Sequence, residues 1–99
     1  MSEYRLTNKA VEDLNAIWVY TFDNWSEEQA DKYYHVLLGF CQNIADKPDL
    51  GKNYEGIRPD LFGLVVNRHI IFYRKITTDL IEITRILHSR MDLKNRITE

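Results

Sequence analysis

Three features of this 99-residue chain predict an α+β fold of order β-α-α-β-β-β, with a helical hairpin packed on a mostly antiparallel sheet. Two apolar stripes at three- and four-residue spacing fill the stretch before Pro48. Two β-rich runs, His69 to Ile76 and Leu80 to Leu87, occupy the last third and are joined by the polar break Thr77-Thr78-Asp79. No Pro/Gly/Ser-rich stretch and no repeat separates the two halves, so residues 1–99 are expected to form one domain around one modest core.

Tyr4-Arg5-Leu6 is a short strand that stops at Thr7-Asn8, either of which can cap a helix by accepting a free backbone N–H. Ala10, Leu14, Ile17, Trp18 and Thr21 then mark an amphipathic helix ending near Phe22, with Glu12 and Asp13 toward the positive end of its dipole. Ser26-Glu27-Glu28-Gln29 fits a capping box, with Trp25 placed to staple onto Ala30. The stripe Ala30, Tyr33, Leu37, Cys41 and Ile44 carries the second helix to Pro48. A connection as short as Asp23 to Trp25 forces the two helices into an antiparallel pair. Pro48 to Asp60 holds both prolines and no periodicity, and is expected to be a surface loop. Leu61 to Val66 is a strand, and Asn67-Arg68 turns the chain into His69. In the last strand, alternation places Ile81, Ile83, Arg85 and Leu87 on one face and Glu82, Thr84, Ile86 and His88 on the other. The sheet face away from the helices is expected to be solvated or a binding surface.

The net charge of −2 hides an asymmetry. Residues 1–50 hold 4 Lys/Arg against 9 Asp/Glu, and residues 51–99 hold 9 against 6, so the basic excess sits on the strand-rich half. A pI near 5.9 is a poor match to a protein that lives by gripping nucleic acid. No apolar stretch approaches the 18 or so residues of a membrane span and no leader pattern opens the chain, so a cytoplasmic location is expected. Cys41 stands alone in a helical pattern and reads as a small buried hydrophobe. His35, His69, His88 and Cys41 do not make a metal-ligand spacing, and no cofactor is expected. Gly51 and Gly56 form no phosphate-cradling pattern.

The pieces Tyr4-x-Leu6, Ala10-x-x-Asp13-Leu14-x-x-Ile17-x-x-Tyr20-Thr21, Trp25, Gln29-Ala30-x-x-Tyr33, Pro48-x-Leu50-Gly51, Ile57-Arg58, His69 to Arg74 and Arg85-Ile86-Leu87-His88-x-Arg90-Met91-Asp92 together resemble the ParE branch of the RelE/ParE superfamily. No single piece is specific, but their joint order and spacing cover nearly the whole chain. The resemblance implies the toxin of a type II toxin–antitoxin pair, neutralised by a ParD-like antitoxin encoded next to it, with DNA gyrase as target.

The RelE branch instead cleaves mRNA on the ribosome, chemistry that needs a base and cations to stabilise a charged phosphorane. In RelE-like nucleases an Arg sits three residues before the Tyr that ends the central strand, and another precedes the C-terminal catalytic residue by two. Counting back from Tyr73 and from His88 gives Ile70 and Ile86, so the resemblance implies no catalytic residues here. A RelE-type nuclease and a relic that only binds its antitoxin are the alternative readings. The C-terminal segment, through Arg85, His88, Arg90, Met91 and Asp92, is expected to contact the target, and truncation before Arg90 to weaken toxicity more than folding. The basic excess of the second half points to Lys52, Arg58, Arg74 and Arg85 as contacts for acidic residues of an antitoxin tail that folds on binding.

Overall fold

The computed structural model describes residues 2–98, which run β1 (Glu3–Leu6), α1 (Asn8–Asn24), α2 (Glu27–Asp46), β2 (Lys52–Asn53), β3 (Phe62–Val66), β4 (His69–Lys75), β5 (Leu80–His88) and α3 (Leu93–Thr98). Thr7 joins the first strand to the first helix. Its hydroxyl accepts from the Ala10 N–H at 3.1 Å, capping α1, and donates to the Thr84 carbonyl at 2.8 Å. Glu12 and Asp13 lie beyond the first turn of α1, so neither sits at the dipole's end. Ser26 caps α2 as the sequence predicts, accepting from the Gln29 N–H at 3.1 Å. Trp25, the expected staple, is 75% exposed, while Ala30 is buried. The indole N–H of Trp18 instead ties the two helices together, donating to Asp31 at 2.9 Å.

The sheet has strand order β1-β5-β4-β3-β2, with β1 parallel to β5 and the other neighbours antiparallel. The two-residue turn Asn67-Arg68 sets Val66 opposite His69, and Asn67 adopts the left-handed φ of 55° that Asn tolerates. Within the expected loop the chain makes a two-residue edge strand, β2, that pairs with β3. Two glycines permit this close approach: a Cβ on Gly51 would lie 2.7 Å from the Gly63 carbonyl oxygen, and one on Gly63 would lie 2.7 Å from the Tyr54 ring. Tyr73 fastens the same segment, donating its hydroxyl to the Pro48 carbonyl at 2.6 Å and accepting from the Gly51 N–H at 2.9 Å.

Between helices and sheet, Ala10, Leu14, Leu37, Cys41 and Ile44 meet Ile71, Tyr73, Ile81, Ile83 and Ile86. Each large side chain so buried contributes roughly 1.5–3 kcal/mol. Burial also pushes the Cys41 thiol up to about 12, which keeps it protonated and unreactive. The face away from the hairpin is not simply open. Leu61, Ile70, Phe72, Leu87 and Ile97 form a second, smaller cluster there, shielded by Tyr54, Ile57 and Leu93. The helix α3, which the sequence reading lacks, brings Ile97 and Leu93 to that cluster.

Strict alternation in β5 fails at one residue. Phe72 pairs with Arg85 but Tyr73 pairs with Ile83, so Thr84 forms a bulge without an opposite number. Ile86 and His88 therefore share the helix-side face with Ile81 and Ile83, rather than lying opposite them.

Candidate functional site: a groove beneath the helical hairpin

β1 ends at Leu6, leaving β5 beyond Ile83 as a sheet edge. Asp13 of α1 takes the place of a neighbouring strand there: its Oδ2 accepts from the Ile86 N–H at 3.0 Å. The same carboxylate receives two bonds from Arg85, Nε to Oδ2 at 2.8 Å and Nη2 to Oδ1 at 3.0 Å. Arg85 Nη1 reaches further, to the Arg96 carbonyl of α3 at 2.6 Å. One guanidinium thus clamps α1, β5 and α3 together, with both side chains of the pair nearly buried.

Above this clamp, the end of the helical hairpin stands clear of the sheet and leaves a groove of about 810 Å³. Ile17, Tyr20 and Thr21 of α1 form one wall, and Gln29 and Tyr33 of α2 another. Ile86 and His88 make the floor with His69, and Asn67, Arg68, Arg90 and Met91 close the far end. Its rim is apolar and accessible: Tyr20 is 66% exposed, Trp25 75% and Met91 42%.

The polar end of the groove is organised around two histidines that the hairpin register sets opposite each other. His69 and His88 meet edge to face with ring centroids 5.4 Å apart. Tyr33 Oη lies 2.7 Å from His69 Nδ1. The Arg90 backbone N–H donates to His88 Nδ1 at 3.1 Å, so a neutral His88 carries its proton on Nε2. Burial first, and the nearby His88 second, hold the His69 imidazole below its ordinary 6.5.

The structure brings together only part of the expected contact set. His88, Arg90 and Met91 line the groove. Arg85 does not stand free for a partner. Expected as a contact for both target and antitoxin, it is occupied by Asp13 and the Arg96 carbonyl, because the sheet edge at Ile86 needs closing. Asp92 likewise serves α3, accepting from Asn95 Nδ2 at 2.6 Å. Lys52, Arg58 and Arg74 are exposed and lie outside the groove. Register places Lys52 and Arg74 on the sheet face away from the helices, where Arg74 pairs with Glu82 at 3.7 Å and Lys52 rests 5.2 Å from the centre of the Tyr54 ring. Sequence reasoning passed over Tyr33 and His69 as site residues. The signal that could have found them was the two-residue turn, which fixes the register of His69.

Ile70 and Ile86, at the positions of the nuclease cations, are both buried and point to opposite sides of the sheet. Among the described residues no three His, Cys, Asp or Glu side chains are grouped to hold a metal ion, and no helix is long and apolar enough to cross a membrane.

A two-helix hairpin on a mixed five-stranded sheet, with an accessible apolar groove floored by Ile86, defines a small α+β domain with an open cleft beneath its helices. Comparison with known proteins agrees. Residues 4–93 match the family described as "ParE toxin of type II toxin-antitoxin system, parDE", and the chain belongs to that family. It is 33% identical over 96 residues to Toxin ParE1 of Mycobacterium tuberculosis, covering 97% of this chain and 98% of that one. With Toxin ParE1 of Caulobacter vibrioides it shares 34% identity over 94 residues, 95% of this chain and 96% of the relative. The fold matches a structure described as "Chromosomal ParDE TA system from P. aeruginosa" with a TM-score of 0.75 at 21% identity, over 89% of this chain and 96% of that one.

Proposed function

We propose that this toxin inhibits DNA gyrase by binding it, without a reaction of its own, and that a ParD-like antitoxin encoded beside it neutralises it. The observation that carries this reading is the groove itself: an apolar, solvent-open channel whose floor holds Ile86 where a nuclease of the superfamily would need a cation. Losing one preorganised charge donor costs about 3–4 kcal/mol of transition-state stabilisation, and here two are replaced. His88, Arg90 and Met91 are the contact residues for gyrase, and the antitoxin silences them by laying an apolar-faced segment in the same groove. Its acidic residues continue onto Lys52, Arg58 and Arg74, three of the accessible cations of the strand-rich half. Arg85 and Asp92 are left out of the contact set because the fold uses them.

The second reading, ribosome-dependent mRNA cleavage, draws on the facing pair His69 and His88, which offers two imidazoles to one groove. Purified protein in two assays separates the readings: gyrase supercoiling of relaxed plasmid, and mRNA cleavage on programmed ribosomes. Loss of supercoiling with intact mRNA supports gyrase inhibition. Codon-positioned cuts with gyrase unaffected overturn it, and inactivity in both leaves a relic that only binds its antitoxin.

A further inference from the structure

We propose that the groove takes up a proton when it captures its partner: a carboxylate on the inserted antitoxin segment lies against the facing His69 and His88, and His69 becomes cationic as the segment seats. The inference rests on the groove being the antitoxin's seat. It follows from what surrounds the two imidazoles. The titratable and charged groups lining the groove are Asp13 and Tyr20 from α1, Tyr33 from α2, Arg68 from the β3–β4 turn, His88 from β5 and Arg90 beyond it. The carboxylate in that set, Asp13, is already engaged by Arg85 and the Ile86 N–H. The polar end is therefore lined by two arginines and two imidazoles, and its acceptor of choice must come with the partner.

An empty groove keeps His69 neutral, because burial and a neighbouring imidazole both oppose a positive charge there. A carboxylate placed beside it supplies the opposite charge that the groove lacks, and this attraction, set against the burial, favours the imidazolium. Tyr33 accommodates either state, since its hydroxyl donates to Nδ1 of a neutral ring and accepts from Nδ1–H of a protonated one. The proton comes from solvent, and no covalent bond changes. The occupant so defined is a segment with apolar side chains for Ile17, Tyr20 and Trp25 and an Asp or Glu at the end that meets His69 and His88.

Calorimetric titration of the full-length toxin with the purified product of the adjacent reading frame tests this near pH 7 in two buffers, one of low and one of high ionisation enthalpy. Trp25 fluorescence in a Trp18→Phe background reports whether the groove is filled. The expected result is net uptake of up to one proton and a Kd about tenfold lower near pH 6 than near pH 8. His69→Gln should bind with neither the uptake nor the pH dependence, and His69→Asn provides the same comparison where His69→Gln fails to fold. A filled groove with equal heats in both buffers overturns the proton coupling and leaves the seat intact. Binding with unchanged Trp25 fluorescence, or no binding at any pH, overturns the seat and the coupling together.

Discussion

Asp13 and Arg85 are 72 residues apart in sequence and joined by two parallel hydrogen bonds of 2.8 and 3.0 Å, and the same carboxylate also closes the backbone edge at Ile86. Asp13 serves two partners that differ in kind, a guanidinium and a backbone amide. Asp13→Ala strands both, and should cost about 3–5 kcal/mol, the range for breaking a buried pair from one side. Arg85→Ala should cost less, since the carboxylate keeps its amide. Urea melts of the two variants decide the order, and equal losses would show that the Ile86 amide contributes little.

The second helix allows a sharper comparison between a cap and a core residue. Leu37 is fully buried in mid-stripe, so Leu37→Ala should cost about 2–5 kcal/mol through lost burial and the cavity it leaves. Ser26→Ala removes one cap bond and should cost about 1 kcal/mol. Denaturant midpoints measure both, and comparable mild effects would contradict the tight packing around Leu37.

Rim residues of the groove offer variants that spare the fold. Met91→Asp and Tyr20→Asp introduce charge on an exposed apolar rim, so melting temperatures should move little while supercoiling inhibition falls at least tenfold. Truncation before Arg90 is a poor substitute. It deletes buried Ile97 and the Arg96 carbonyl that Arg85 holds, so toxicity and folding should be lost together, contrary to the sequence expectation.

Charge reversal at Arg58 or Arg74 should slow association with the antitoxin and flatten its salt dependence, because exposed cations steer encounter more than they hold the complex. Stopped-flow rates at low and high salt give the answer. Rates unchanged for both variants would remove the sheet's outer face from the antitoxin's path.

His69 should make the toxin's own stability depend on pH. Its folded imidazole is held below 6.5, so the unfolded chain binds more protons as pH falls, and the stabilisation present above pH 6.5 is lost as pH drops through the lower folded value. Melts between pH 7.5 and pH 5 should show this loss, and His69→Gln should reduce it. A variant with the wild-type slope would assign the acid sensitivity to other groups.

Much of this architecture was legible because the helices carry strong local signals. The Ser26 cap, the stripe through Leu37 and Cys41 and the short connection at Asn24 each act within a few residues. The elements that escaped are held by distant partners. β2 is two residues long and exists through its pairing with β3, and α3 is anchored by Ile97 in a cluster drawn from two strands and a loop. The run Ile86-Leu87 hid the bulge, since two adjacent apolar residues, both buried, fit either register. Arg85 looked like a contact residue because nothing near it in sequence announces Asp13. The groove was half visible: His88, Arg90 and Met91 are local to the C-terminal cluster, whereas Tyr33 and His69 join them only through the fold.

The extra residue at Thr84 has a consequence for how this strand can change over time. A bulge acts as a parity bit: every side chain after it reports to the face opposite the one that simple counting assigns. Flattening the bulge with Thr84 kept would pair Phe72 with Thr84, turn His88 away from His69 and swing Leu87 into the hairpin core, whereas deleting Thr84 would leave those side chains on their present faces. Position-by-position transfer of contact residues from a relative whose strand is regular here would therefore assign Ile86 and His88 to the wrong side of the sheet.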